Sequence, residues 1–456
     1  MSGKAAPTPA APRDQVSLAT VLREWGRIGC IGFGGPPAHI ALLRQLCVDR
    51  RRWLDAQEFE DAIGACNLLP GPASTELAIF CAWRVRGWLG ALAGGLAFIV
   101  PGLVCILALS ALFLEGSPPL WVQGAGAGAG AAVAAVAVQA GWSLAVPSWT
   151  RARTHGAGRR FRWVAYLLAG GAAAATIGPW LVLVLLGSGV TELAVGARGG
   201  RPAAAADGTD AAASEAAAAG DAADGTTADG TTPGGPTADG TTPGGPTAGG
   251  PTPGGKVPGV AALPALGVVR AAAAAVAGGG VLASVAWVAF KVGALSFGGG
   301  FVIIPLMRGD AVGRGWMTSA QFLNAVALGQ ITPGPVVLTV SAVGYAAAGV
   351  GGALLAALVA FSPSFAFVLG GARYFSVLRT SRNAQSFLDG AGPAAIGAIL
   401  GSAVLLAETL SQPWQYAVLA GAAVLLLGLK RGVVVTLLAA AATGLGIALA
   451  GGPLPH

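Results

Sequence analysis

Apolar residues run along this chain in long blocks, at 20–43, 58–82, 87–114, 121–147, 163–178 and 180–196, separated by short basic clusters. Blocks approaching 20 apolar residues are the pattern of membrane-crossing helices. Beyond 196 the pattern changes. Residues 199–257 are almost wholly Gly, Pro, Thr, Ala and Asp, with ADGTTPGGPT at 228–237 and again at 238–247. Such a composition cannot bury a core, so a disordered tether is expected there. A second apolar region, 258–456, follows it. The expected organisation is a polar tail at 1–17 with no cleavable signal peptide, a first half at 18–198, the linker, and a second half.

The two halves are versions of each other. EWGRIGCIGFGGPPAHIALLR begins at Glu24, and VAFKVGALSFGGGFVIIPLMR begins at Val288. At an offset of 264, Arg27 meets Lys291, Phe33-Gly34-Gly35 meets Phe297-Gly298-Gly299, and Arg44 meets Arg308. At 263, Trp53 meets Trp316, Asn67 meets Gln330, and Pro70-Gly71-Pro72 meets Pro333-Gly334-Pro335. Gly90 and Pro101 then meet Gly352 and Pro363. Charge indicates how the copies are related. Loop 115–120 has no Lys or Arg, whereas Arg84 and Arg86 precede it and Arg151, Arg153, Arg159, Arg160 and Arg162 follow the next segment. In the second half the equivalent of the Arg84–Arg86 loop, 345–352, is uncharged, and Arg373, Arg379 and Arg382 follow the next segment. By the positive-inside rule the copies have opposite orientation. Inversion needs an odd number of crossings before the second copy. Either an extra crossing near 260–282 or a lost one at Gly178-Pro179 would supply it.

Composition narrows the class. Of 456 residues 54% are hydrophobic and only 10% charged, against about 25% charged in a soluble domain. The expected fold is an all-α polytopic membrane protein of two homologous, inverted repeats with broken or re-entrant helices and about 10–13 membrane segments. The net charge of +7 comes as short loop clusters with no soluble domain to carry a basic face, so cytoplasmic loops obeying the positive-inside rule account for it and nucleic acid does not. Cys30, Cys47, Cys66, Cys81 and Cys105 lie singly in apolar surroundings, as packing thiols. No GxxxxGK[ST], HExxH or GxSxG occurs, so neither an ATP-driven pump nor an enzyme is indicated, and no metal or cofactor is expected.

Two interruptions recur in both halves, the glycine cluster (Gly32, Gly34, Gly35; Gly298, Gly299, Gly300) and Pro-Gly-Pro (70–72; 333–335). Proline removes a helix donor and glycine permits unusual backbone angles, so the helices are expected to break there. Broken helices at matching positions of two repeats point to a midplane substrate site. Half-helix N-termini seat anions, so the expected ligand is an oxyanion held by backbone N–H groups at Gly34, Gly35, Gly298 and Gly299 and around the Pro-Gly-Pro breaks formed by Pro70, Gly71, Pro72, Pro333, Gly334 and Pro335. Arg27 and Lys291 are the expected neutralising cations, or else interfacial residues that snorkel. Asn67 and Gln330 could donate to the anion or cap the broken helices. Glu76, alone among apolar residues and matched by Thr339, could carry a coupling proton or pair with an arginine. Arg44 and Arg308 read as topological charges, Ser74 and Thr75 as ordinary helix polar residues, and Glu192 and Glu408 as interfacial.

A basic residue and FGG followed by LPGP or TPGP, in two homologous halves, resembles the chromate ion transporter family. The stretch Leu69–Gly102, LPGPASTELAIFCAWRVRGWLGALAGGLAFIVPG, is especially similar. The resemblance spans about 20–150 and 284–412. It implies a bacterial inner-membrane protein that exports chromate, driven by membrane potential or proton gradient, and so protects against it. Sulfate is the similar competitor. The alternatives are an importer or exchanger of sulfate or another oxyanion, or an anion channel. A homo-oligomer stays compatible with everything above, and the long linker departs from the family pattern.

Overall fold

A computed structural model describes residues 16–67, 69, 71–114, 118–154, 156–176, 180–198, 280–296, 302–371 and 381–455. Among the described residues there are fourteen α-helices and no strand. The linker 199–257, most of 260–282, and Gly178-Pro179 lie outside them.

Each repeat opens with two helical hairpins too short to cross a bilayer. Ser17 caps α1 (Leu18–Ile31), its side chain accepting from the Thr20 amide. The helix stops at Gly32, and Gly34 and Gly35 take φ values of +98° and +78°, where a side chain would be strained. Proline then starts α2 (Pro36–Arg44), which ends in a π-turn over Gln45–Arg50. Arg51 returns to Glu24 at 2.6 Å, and His39 returns to Gly32, so the two arms are antiparallel. The 14 residues of α1 reach about 21 Å, short of the roughly 30 Å of hydrocarbon. Segment 20–43, which hydropathy suggests as one span, is therefore a re-entrant hairpin with the glycines at its tip.

Segment 58–82 behaves likewise. Asp55 caps α3 (Ala56–Cys66), Gly71 and Pro72 belong to the tip, and the first arm of α4 (Ala73–Leu114) runs back until Arg84 pairs with Glu58. Pro70 lies outside the described residues. The chain then reverses again inside α4. Arg86 and Gly87 leave helical angles (φ −142°, ψ 20°; φ 65°, ψ −152°), and Gly90 and Gly94 pack back on Ala82. Only residues 88–114 form a full crossing.

The second repeat follows the same plan. α8 (Val281–Ala294) and α9 (Ile303–Gly313) are joined by the Lys291–Asp310 ion pair, and their tip, with Gly298 and Gly299, is outside the described residues. A capping box of Thr318 and Gln321 starts α10 (Ser319–Ile331); the Pro-Gly-Pro tip and a 3-10 turn at Val336–Leu338 lead into α11 (Thr339–Gly371). α11 turns at Ala348 and Gly349 (φ −153°, ψ 33°; φ 59°, ψ −153°), the angles of Arg86 and Gly87 to within about 15° at the equivalent positions. Each repeat finishes with three further helices: α5 (Leu120–Arg153), α6 (Ala157–Thr176) and α7 (Leu181–Arg198), then α12 (Arg382–Glu408), α13 (Pro413–Ala423) and α14 (Val433–Leu449). Four helices, α4, α5, α11 with its leading 3-10 turn, and α12, are long and apolar enough to cross a membrane.

Helix directions establish the inversion. Trp163 donates to Ser148 and Arg162 to Glu192, so α5, α6 and α7 alternate and α5 is parallel to α7. α14, the counterpart of α7, runs antiparallel to α5, with Gly124 against Gly444 and Gly128 against Ala440. α6 runs parallel to α12, with Leu167 beside Gly397 and Gly171 beside Gly401. Both relations hold only if the second repeat is upside down. The exchange is reciprocal, because α5 packs on α13 and α14 while α12 packs on α6 and α7. Gly and Ala along α5 let the backbones approach closely, which is how helices associate without a hydrophobic drive in lipid. Outward-facing Leu96, Val104, Leu168 and Leu358 are exposed, as a lipid-facing surface requires, and Trp88, Trp121 and Trp180 are exposed near span ends.

Candidate functional site at the hairpin tips

The tips of opposite repeats meet. The Gly334 amide donates to the Gly32 carbonyl at 3.0 Å, joining the first glycine tip to the second Pro-Gly-Pro tip. The two hairpins enter from opposite faces and neither arm spans the bilayer, so this contact falls near its middle. Each Pro-Gly-Pro also packs on the long helix of the other repeat. Pro333 sits against Gly102, and Gly71 faces Ser364, whose hydroxyl is 3.3 Å from where a Gly71 Cβ would stand. Gly102 and Ser364 are themselves equivalent, each following Pro101 or Pro363. The packing is thus symmetric, and its side chains are not.

His39 ties the first tip together. It is fully buried, its Nε2 lies 2.9 Å from the Gly32 carbonyl, its Nδ1 3.3 Å from Ser74 Oγ, and its edge meets Phe98 at 4.9 Å. A carbonyl only accepts, so this network assigns the proton to Nε2, leaving Nδ1 to accept from Ser74. Gly32 O thereby receives two donors, one from each repeat. Around the tips, Thr75 Oγ1, Ser296 Oγ, Gln330 Nε2, Ser341 Oγ, Ser364 Oγ and both carboxylate oxygens of Glu76 are buried without a hydrogen-bond partner among the described residues. Buried polar groups are normally satisfied, so a cluster of exceptions marks a place where water or a polar ligand is received.

The candidates named from sequence separate into groups. Gly71, Pro72, Pro333, Gly334, Pro335 and Gln330 are buried at the tips, with Glu76 fully buried directly behind the first of them. Gly34 and Gly35 lie at the glycine tip, Gly35 beside Val336 of the other repeat. Asn67 caps α3 with its side chain exposed. Arg27 is exposed on α1 and lines a small cleft with Glu24, Gln45 and Arg50, away from the tips. Lys291 is only 9% exposed and gives its ammonium to Asp310, which also draws Arg314 at 3.4 Å. Glu192 is not merely interfacial. It is buried, takes a two-pronged bond from Arg162 and accepts from Tyr166.

Sequence reasoning missed His39, Ser74 as its partner, and Ser364. A lone histidine five residues past Gly34 was the available signal, but nothing in the sequence shows that the chain turns back there. A larger concavity, about 310 Å³, lies between α13 and α14; it is lined mostly by apolar residues and lies on helices remote from the tips. Charge is lopsided across the fold. By their places in the helices, Arg23, Arg50–Arg52, Arg84, Arg86, Arg151, Arg153, Arg159, Arg160, Arg382, Lys430 and Arg431 gather at one face, whereas Arg314 is at the other, with Arg27, Lys291 and Arg308 further in.

The family model described as chromate transporter matches residues 19–193 and 283–445. The chromate transport protein of Pseudomonas aeruginosa is 28% identical over 405 residues, covering 87% of this chain and 83% of that protein. The chromate transport protein of Cupriavidus metallidurans is 29% identical over 401 residues, 86% and 83% respectively. A probable chromate transport protein of Synechococcus elongatus is 26% identical over 391 residues, 86% and 84%. No solved structure gives a significant match.

Proposed function

The chain belongs to the chromate transporter family, and from that premise we propose that it is a secondary active exporter of chromate across the bacterial inner membrane, conferring chromate resistance. The observation that carries this reading is the meeting of oppositely entering half-helix tips in mid-membrane, with unpartnered polar groups around them. The arginine-rich face is cytoplasmic by the positive-inside rule. In the conformation described, the Gly334 N–H is spent on the Gly32 carbonyl. An oxyanion entering the site takes over that donor, together with N–H groups at Gly34, Gly35, Gly71, Gly298 and Gly299, the prolines of the two breaks lending shape and no donor, and Gln330 adds its amide. Substrate binding and separation of the tips are then one event, and rocking one repeat against the other passes the anion across. The membrane potential or proton gradient drives it.

Radiolabelled chromate uptake into inverted vesicles tests this. Uptake that collapses with an uncoupler is the expected result. Excess sulfate is expected to compete, since both are tetrahedral dianions. Uptake only into right-side-out vesicles would assign an oxyanion importer, and conductance without coupling would assign a channel. Arg27, exposed in a cleft it shares with Arg50, acts in recruitment. Arg27→Ala is expected to lower flux at limiting chromate about tenfold or more, with the difference shrinking at high salt. Equal flux in mutant and wild type at low salt would remove that role.

A further inference from the structure

The two Pro-Gly-Pro tips hold matching positions in the two repeats and differ in chemistry. In the second repeat the chain after the break continues to Thr339, whose hydroxyl is satisfied by the Val336 carbonyl. In the first, the same position is Glu76, in the opening turn of α4, fully buried. Among the described residues its carboxylate has no hydrogen-bond partner. Ser364 of the opposite repeat approaches it without reaching hydrogen-bond geometry, and its own hydroxyl is unpartnered. The other titratable group facing it is the buried Cys66 thiol at the end of α3; His39, nearby on α2, is engaged by Ser74 and Gly32. Among the described residues no cation is paired with it. Arg84 and Arg44 are taken by Glu58 and Glu60 near the open ends of the hairpins.

An ionised carboxylate here would be a buried, uncompensated charge, and it would stand where the first half-helix N-terminus should receive an anion. A neutral carboxyl reverses both problems, because it carries an O–H that can donate to Ser364 or to an oxyanion. We propose that Glu76 is the coupling site of the transporter: it binds one proton together with the anion, while the second-repeat tip serves as the permanent anion seat. Ionised Glu76 repels the dianion; protonated Glu76 admits it. A dianion and one proton together carry a single negative charge, which an inside-negative potential drives outward; of the two driving forces, this coupling selects the potential, because the proton leaves against its own gradient. This rests on the tips being the anion path.

Two measurements on the full-length protein test it, one independent of substrate. Infrared difference spectra of lipid-reconstituted wild type against Glu76→Gln are expected to show a protonated carboxyl band at neutral pH that the variant lacks; no such band overturns the proposal. In vesicles, wild-type chromate exchange is expected to fall about tenfold per pH unit above the titration point of a single required proton. Glu76→Gln exchange is expected to lose that dependence and the accompanying proton movement, and Glu76→Asp to retain both. A wild-type pH profile in Glu76→Gln overturns the coupling role. Absence of chromate flux in wild type, with the carboxyl band present, would instead count against chromate as substrate.

Discussion

Lys291→Ala is expected to be the most damaging single charge removal in the protein, destabilising it by about 3–5 kcal/mol and abolishing transport. The reason is its partner. Lys291 and Asp310 are 9% and 7% exposed and in direct contact, so truncating the lysine strands a buried carboxylate. Arg314, at 3.4 Å and 43% exposed, relieves part of this and holds the cost toward the lower end. Thermal unfolding in detergent and chromate flux are the two readouts. Lys291→Ala/Asp310→Asn is expected to recover most of the lost stability, because the stranded charge goes with it. Flux in that double variant then decides the role of Lys291. Recovery would make it a brace between the arms of the third hairpin; persistent loss in a stable protein would make it a cation for the substrate.

That ambiguity shows where the sequence stops. The in-register pair Arg27/Lys291 was legible, and it suggested matching roles. The same offset puts Leu46 opposite Asp310, but only the structure shows that Lys291 and Asp310 touch, so that the buried ion pair belongs to the second repeat and Arg27 is left exposed. The duplication, the membrane class and the two recurring breaks were likewise legible, since hydropathy and Pro or Gly act locally. Inversion could be argued from loop charge alone. Re-entry could not be distinguished from a single span. Segment 20–43 is apolar throughout, and only the returns of Arg51 to Glu24 and His39 to Gly32 show that it doubles back. Contacts between opposite tips, such as Gly334 to Gly32, depend on how two inverted repeats dock, which no local pattern encodes.

Docking also sets the second large effect, at Gly102. Its Cα is pressed against the second Pro-Gly-Pro tip. A Cβ there would run into the Pro333 carbonyl and come within 2.7 Å of Leu338 Cδ1. Gly102→Val should push that tip off α4 and break the Gly334 to Gly32 bond that depends on its position. Overpacking of this kind costs about 1–3 kcal/mol, which a protein of this size can survive, so insertion is expected to persist while transport is lost. The equivalent position in the inverted repeat makes a control. Ser364 already carries a side chain beside Gly71, so the backbone at that tip has room for one. Ser364→Ala should therefore leave stability nearly intact, and any flux defect it shows reports the hydroxyl that faces Glu76. Gly102→Ser, which copies the second-repeat residue into the first, separates space from chemistry. If Gly102→Ser transports normally, the tip does not need to close against α4, and the closed contact described here is not a step of the cycle. If it inserts, unfolds at near wild-type temperature and fails to transport, closure of the second tip on α4 is required for turnover.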